Sequence, residues 1–189
     1  MGNVLQLKIT LKGIKPEIWR RFLVSDFWTF DRLHKIVQKI IGWENYHLYE
    51  FEVKGDKIGL VDGDALDAYP DLKNSKRARL FEYFDSVGQK FLYRYYFGDD
   101  WEHELVVEEI LEDKLEQRIP FCMEGKRACP KEDCGGISGY QRFMKLLNTG
   151  KCSLEENPNE LKSWLGDWDP ERFDIEKINK NLNKHRGFE

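Results

Sequence analysis

The sequence predicts one α+β domain over residues 1–189, with a mainly antiparallel sheet packed on helices and a helical C-terminal segment. Three observations lead to this fold class. Several short stretches before residue 110 alternate apolar and polar residues, which is typical of half-buried strands. Residues 29–42 repeat apolar side chains at spacings of three and four, and the part after residue 138 carries helical patterns. Strands followed by helices indicate α+β rather than alternating parallel units.

The first element is a predicted strand over residues 4–12, in which Leu5, Leu7, Ile9 and Leu11 fall on one face. Gly13 and Pro16 break this strand, and residues 18–24 return as the second strand of a hairpin. Arg20 and Arg21 are neighbours in the second strand, so we expect their side chains to lie on opposite faces.

The clearest helix is predicted over residues 29–41. Thr29 can cap its first turn, and Gly42 can end it. Its apolar stripe consists of Leu33, Ile36, Val37, Ile40 and Ile41. This spacing places the stripe on one side of the helix, where it can cover the sheet.

The middle of the chain predicts a second group of strands. Residues 46–53 and 57–61 read as short strands joined at Gly55-Asp56, residues 62–76 as a surface loop, and residues 81–84 as one helical turn. The strongest hairpin follows, turning at residues 98–100. Its inward residues are predicted to be Phe91, Tyr93, Tyr95 and Phe97 on one strand, and Trp101, His103, Leu105 and Val107 on the next.

Residues 121–137 read as a loop, after which Ser138 and Gln141 form the pattern of a capping box at the start of a helix. Two shorter helices are predicted near residues 160–165 and 174–182.

Composition limits the class of protein. Of 189 residues, 34% are charged and 41% hydrophobic, and the formal net charge is -4. The chain carries too much charge to span a membrane, and its start does not resemble a secretory signal, so we expect a soluble cytoplasmic protein. Basic residues cluster at 73–79 and 177–186, but the acidic run at 102–116 would repel a duplex.

Cys122, Cys129 and Cys134 lie in one glycine-containing stretch and raise three alternatives. They could bind zinc with His103 as a fourth ligand, although only the gap between Cys129 and Cys134 approaches the spacing of tight zinc sites. They could instead be unligated thiols, which a reducing cytoplasm favours, or form a disulfide. His103 itself could act as a base or a metal ligand, or could be a core histidine that makes one hydrogen bond.

Five stretches of the chain together resemble one family. They are LQLKITLKGIKPEIWRRFLV, IIGWENYHLYEFEV, YYFGDDWEHEL, GKRACPKEDCGGISGY and WLGDWDPERFD. The chain is similar in them, and in their order, to the plasmid pRiA4b ORF-3-like family. The resemblance implies an α+β fold and a link to plasmids or other mobile genetic elements, without a reaction that can be carried over.

The polar residues at the matching motif positions are the candidate functional residues. They are Arg20, Arg21, His47, Asp99, Asp100, His103 and Asp133. The sequence lacks a phosphate-binding glycine loop, a nucleophile elbow and a dinucleotide fingerprint, which favours a binding or accessory module with a protein or nucleic-acid partner. The alternative is a metal-dependent hydrolase or nuclease, in which Asp99, Asp100, His103 and the cysteines would converge on an ion such as zinc.

Overall fold

The computed structural model describes residues 2–60, 71–112, 118–151 and 157–184. Within these ranges the chain forms one eight-stranded sheet and four α-helices, with the helical segments concentrated after residue 135. The sheet order is β5-β4-β3-β6-β7-β1-β2-β8, and every neighbouring pair is antiparallel except β4 and β5. The predicted α+β fold is therefore confirmed.

The strands are β1 Asn3–Leu11, β2 Trp19–Ser25, β3 Tyr49–Val53, β4 Asp56–Gly59, β5 Leu72–Asn74, β6 Lys90–Tyr95, β7 Trp101–Glu112 and β8 Phe121–Lys126. The helices are α1 Phe30–Ile41, α2 Gly136–Thr149, α3 Pro158–Leu165 and α4 Ile175–Lys184, with a 3₁₀ turn at Leu80–Glu82. Among the described residues, no helix is both long and apolar enough to cross a bilayer.

Helix α1 has the predicted ends. The Thr29 hydroxyl accepts a hydrogen bond from the Arg32 backbone N–H at 3.3 Å. Gly42 takes the left-handed conformation with φ 93°, and its N–H donates to the Gln38 carbonyl at 2.8 Å. The stripe of Leu33, Ile36, Val37 and Ile40 is buried, so α1 covers the apolar face of the sheet as the periodicity predicts.

The two predicted hairpins are also present. β1 lies between β2 and β7, with its alternate leucines and isoleucine buried. In the β6–β7 hairpin Tyr93 is the cross-strand partner of His103, and Tyr95 that of Trp101. All four of these side chains are buried. The alternating residues of both hairpins therefore meet beneath α1.

The opposite face of the sheet is charged. Glu102 of β7 accepts hydrogen bonds from Lys12, directly after β1, at 2.8 Å and from Arg94 of β6 at 2.7 Å. Arg21 contacts Glu108 on the same face. Arg20 and Arg21 therefore lie on opposite faces, as alternation in β2 predicts.

Two local predictions are wrong. Phe97 lies outside β6 and is 52% exposed, because Tyr96 takes a positive φ of 55° and ends the alternation. Residues 72–74 of the predicted surface loop form β5, parallel to β4. Residues 61–70 lie outside the described residues. They include the last residue of the strand predicted over 57–61 and most of the predicted surface loop, so those parts stay predictions.

The segment after β7 also differs from its prediction. Phe121–Lys126 is an edge strand paired with β2, where a loop was expected. Helix α2 begins at Gly136 with Gly135 as its N-cap. The Ser138 hydroxyl donates to the Gly135 carbonyl at 3.0 Å, so it does not act as the acceptor that a capping box requires.

Candidate functional site

Three loops converge at one end of the sheet, and we call this region the three-loop junction. It consists of residues 43–48 between α1 and β3, residues 96–100 between β6 and β7, and residues 127–135 between β8 and α2. The Trp43 indole N–H donates to the Pro130 carbonyl at 2.8 Å. The Gly135 N–H donates to the Asp99 carboxylate at 3.2 Å, which ties the second loop to the third.

Backbone strain is concentrated at this junction. Among the described residues, non-glycine residues with positive φ in the three loops are Asn45, Tyr96, Asp100, Arg127 and Asp133. Such conformations cost about 1–3 kcal/mol each and cluster where surrounding structure holds a site in place. Gly136 packs so closely on the second loop that an added Cβ would lie 2.5 Å from the Asp99 carbonyl oxygen. The loops therefore fit each other with little tolerance.

His47 and Asp133 form a pair at the surface of the junction. The His47 Nε2 lies 2.7 Å from the Asp133 carboxylate, and the imidazole stacks on the Tyr96 ring with centroids 3.6 Å apart. The His47 backbone N–H also contacts the Tyr95 hydroxyl at 3.3 Å. The ring is thus fixed by a carboxylate, an aromatic face and its own backbone, while remaining partly exposed.

A buried aromatic group supports this pair. Trp43 stacks on Tyr95 with ring centroids 5.1 Å apart and also packs against Trp101 and His103. The Tyr95 hydroxyl donates to the Glu132 carboxylate. Burial is the main cause that raises the pKa of Tyr95 well above its usual value, and the hydrogen bond to Glu132 raises it further. Tyr95 therefore stays protonated and serves as a hydrogen-bond donor to the third loop.

Large apolar side chains are exposed around the His47–Asp133 pair. Tyr46 is 74% exposed, Leu48 60% and Phe97 52%. The Tyr96 N–H donates to the Leu48 carbonyl at 2.9 Å, so the first and second loops carry these side chains next to each other. The junction consequently combines an apolar surface with the carboxylates of Glu44, Asp99 and Asp133.

The structure brings three predicted site residues together at the junction, namely His47, Asp99 and Asp133. Asp100 belongs to the same turn, but its side chain pairs with Arg94 at 3.0 Å. Arg21 lies on the charged face of the sheet, where it contacts Glu108 and Glu124. Asp100 and Arg21 are thus each held in an ion pair with side chains of the sheet.

Arg20 is buried, with 3% of its surface exposed. Its guanidinium donates to four backbone carbonyls, those of Trp19, Ile40, Lys126 and Arg127, at 2.7 to 3.3 Å. It also lies over the Phe173 ring, 4.6 Å from the centroid. The observed contacts connect β2 to α1 and to the segment after β8.

His103 is a core residue, as its position in β7 predicts. Burial lowers its pKa to about 4, although backbone groups of Tyr93 and Trp101 partly oppose this shift. Among the described residues, neither ring nitrogen has a hydrogen-bond partner of ordinary geometry. The predicted single hydrogen bond of a core histidine is therefore not observed.

Cys122, Cys129 and Cys134 are free thiols, and burial raises the pKa of each, to about 11 for Cys122 and about 12 for Cys134. Zinc binds thiolates. Within the described ranges, no group of three or more His, Cys, Asp or Glu residues is arranged to hold a metal ion. The predicted zinc site with His103 thus gains no support from this geometry. The fourth cysteine of the chain, Cys152, lies outside those ranges.

Sequence reasoning missed several residues of the junction. Tyr95 is predicted only as an inward strand residue, and Trp43 and Glu132 are not among the candidate residues, because their partners lie in other loops. A signal for Tyr96 was present in part, since the predicted turn at residues 98–100 begins two residues after it. Its stacking on His47 depends on a positive φ that sequence does not record.

The family model described as "Plasmid pRiA4b ORF-3-like protein" matches residues 3–177. The chain belongs to this family. This ORF-3-like chain is 33% identical over 186 residues to the uncharacterized protein y4hQ of Sinorhizobium fredii (strain NBRC 101917 / NGR234), covering 97% of this chain and 92% of that protein.

The crystal structure of protein of unknown function MM3350 from Methanosarcina mazei Go1 is also similar to the ORF-3-like chain. The identity is 39% and the TM-score 0.81, covering 94% of this chain and 97% of that one. The resemblance and the fold class are confirmed together. These relatives carry no assigned reaction, and none is supported for this chain.

Proposed function

We propose that the three-loop junction is the binding surface of a non-catalytic module, and that it holds a basic segment of a partner protein. The observation that carries this proposal is the exposure of Tyr46, Leu48 and Phe97 around the fixed His47–Asp133 pair. Tyrosine and phenylalanine are enriched in the centres of protein interfaces, where they provide contact area at low entropic cost.

The rigidity of the junction supports binding by this surface. Trp43 and Tyr95 pack beneath it, and hydrogen bonds connect the first and second loops to the third. A surface that is already ordered loses less conformational freedom when a partner binds, so more of the contact energy appears as affinity.

The charge of the junction favours a protein partner over nucleic acid. Glu44, Asp99 and Asp133 would repel phosphates and attract lysine or arginine side chains. Exposed aromatic rings beside these carboxylates can also contact such cations through their faces. An origin of the partner on a plasmid or another mobile genetic element stays a prediction, as does zinc binding.

The experiment compares two fluorescent peptide pools by anisotropy, one containing arginine and aromatic residues and one in which glutamate replaces arginine. We expect the arginine pool to bind at least about tenfold more tightly, and the Tyr46→Ser/Phe97→Ser variant to lose that binding by a similar factor. Phe81→Ser is the matched control, because Phe81 is similarly exposed but packs on Phe27 elsewhere. Equal binding of both pools, or full binding by the double variant, would contradict the proposal.

A further inference from the structure

A surface that combines aromatic and basic side chains lies at the start of α1, at the opposite end of that helix from the three-loop junction. Residues 26–31 run beside residues 75–81, and backbone hydrogen bonds join the two segments, for example from the Phe81 N–H to the Asp26 carbonyl at 2.8 Å. The surface includes part of the basic cluster at residues 73–79. We call it the aromatic-basic strip, and it consists of Phe27, Trp28, Arg32, Lys76, Arg77, Arg79 and Phe81.

Two phenylalanine rings of the strip are open to solvent. Phe27 is 47% exposed and Phe81 46%. Their ring centroids lie 5.5 Å apart with the ring planes at 55°, so each ring packs on the other and still keeps an accessible part. Accessible aromatic rings are the platforms on which proteins stack the bases of nucleic acids.

The basic side chains of the strip are held without carboxylate partners. The Arg32 guanidinium lies over the Trp28 ring, 4.0 Å from its centroid. The Arg79 guanidinium donates to the Phe27 carbonyl at 2.6 Å, which places a cation directly beside the exposed ring pair. Lys76 and Arg77 are exposed in the adjoining turn.

The carboxylates of the same two segments leave the strip positively charged. Asp26 is buried, and Asp31 pairs with Lys35 at 2.8 Å. Glu82 is exposed and accepts from the Arg79 backbone N–H at 2.9 Å. Within these segments the four basic side chains thus outnumber the exposed carboxylate of Glu82, so the strip attracts phosphate groups.

The geometry favours a single strand over a duplex. In a duplex the bases stack on each other, whereas a single strand can place unstacked bases on Phe27 and Phe81. A duplex that extends past the strip would also approach the acidic end of β7. Glu112 is the cross-strand partner of Asn3, whose carbonyl accepts from the Asp26 N–H at 2.9 Å. Its carboxylate would repel the phosphates of that duplex.

We propose that the aromatic-basic strip binds single-stranded nucleic acid without strong sequence preference. Bases stack on the open parts of Phe27 and Phe81, while the arginine and lysine side chains contact the phosphates. The hydrogen-bonded segments hold these groups in place before the strand binds, so little conformational freedom is lost. This inference does not depend on the proposed protein partner, since the strip and the three-loop junction lie at opposite ends of α1.

Fluorescence anisotropy tests the proposal with a labelled oligothymidylate of about ten nucleotides and a hairpin duplex of about the same length. We expect the single strand to bind at least about tenfold more tightly than the duplex at low salt. Its affinity should fall steeply as salt is added, because counterions released on binding must be taken up again. The proposal is overturned if the single strand does not bind, or if the duplex binds equally tightly.

Phe27→Leu/Phe81→Leu tests the stacking separately from the charge. Leucine keeps apolar bulk, so the variant should unfold at a similar urea concentration, but it offers no flat ring to a base. Binding of the single strand should weaken by about tenfold or more. Phe121→Leu is the matched control, because Phe121 is 40% exposed on β8 outside the strip. Full binding by the double variant, or an equal loss in Phe121→Leu, would overturn the proposal.

Lys76→Gln/Arg77→Gln tests the charge of the strip. This variant should weaken binding and reduce its salt dependence, because fewer phosphates are neutralised. Lys177→Gln/Lys180→Gln removes the same charge from α4 and should bind normally. Equal losses in the two variants would mean that binding follows only the net charge of the protein, against the proposal. It is equally overturned if phosphatidylglycerol vesicles displace the single strand and bind more tightly, because the strip would then be a membrane contact.

Discussion

Arg20 shows how one charged side chain can organise a core. Its guanidinium donates to four backbone carbonyls from three segments of the chain, and these take the place of water around the buried charge. One of the four is the carbonyl of Ile40, in the last turn of α1. Carbonyls at a helix C-terminus carry partial negative charge, so they compensate a buried guanidinium without a carboxylate. The motif position of Arg20 therefore has a structural explanation, whereas neighbouring Arg21 has surface partners.

Replacing Arg20 should be far more destabilising than replacing Arg21. Arg20→Ala leaves several buried carbonyls unpaired, which we expect to cost about 3–5 kcal/mol of unfolding free energy. Arg21→Ala removes partly exposed ion pairs and should cost about 1 kcal/mol or less. Urea titration of both variants measures the difference. Similar midpoints for the two would mean that the carbonyls find other donors.

At the scale of elements, α4 protects the edge of the sheet. β8 pairs with β2 on one side only, and on its other side the Asn179 side chain contacts Cys122. Its amide oxygen accepts from the Cys122 N–H at 2.9 Å, and its amide nitrogen donates to the Cys122 carbonyl at 2.9 Å. One side chain thus satisfies two edge groups that would otherwise be open to another strand.

Asn179→Asp should weaken this edge selectively. A carboxylate can still accept from the Cys122 N–H, but it cannot donate to the Cys122 carbonyl and would repel it. We expect a loss of about 1–3 kcal/mol and faster hydrogen exchange at the Cys122 amide, with Asn183→Asp on the exposed side of α4 as control. Unchanged exchange at Cys122 would show that Asn179 does not hold the edge.

At the scale of the whole molecule, His34 and His103 couple stability to pH. Both are buried, and burial lowers both pKa values from 6.5 to about 4. His34 has hydrogen-bond partners at both ring nitrogens, whereas the ring nitrogens of His103 lack them among the described residues. Between about pH 4 and pH 6.5 these two histidines therefore bind protons in the unfolded chain but not in the folded chain.

The free energy of unfolding should therefore be highest above about pH 6.5 and fall as pH decreases to about 4. Each histidine contributes about 3 kcal/mol to this loss, because a pKa difference of one unit corresponds to about 1.4 kcal/mol. His103→Leu should remain folded and reduce the slope by about one proton, as measured by urea titrations across this range. Lys180→Gln serves as control. An unchanged slope in His103→Leu would place the proton uptake elsewhere.

The sequence by itself determined the elements in which the spacing of apolar residues along the chain shows which face is buried. Apolar residues alternate in β1 and in the β6–β7 hairpin, and they recur every three or four residues in α1. The reason is that each of these elements presents one face to the same core. The motifs also determined the family, and placed His47, Asp99 and Asp133 among the candidate residues. Prediction from sequence failed at Phe97 and at β8. The positive φ of Tyr96 before Phe97 and the edge pairing of β8 with β2 do not produce a recognisable pattern of apolar residues.

Only the tertiary structure decided which candidate residues meet. His47 contacts Asp133 across 86 positions, Trp43 contacts Pro130 across 87, and Arg20 contacts the Lys126 carbonyl across 106. Several of these partners are backbone groups, which every residue carries, so no residue type marks them in advance. The three-loop junction exists because the folded sheet brings three distant loops to one end, and long-range pairing of that kind is a property of the folded chain.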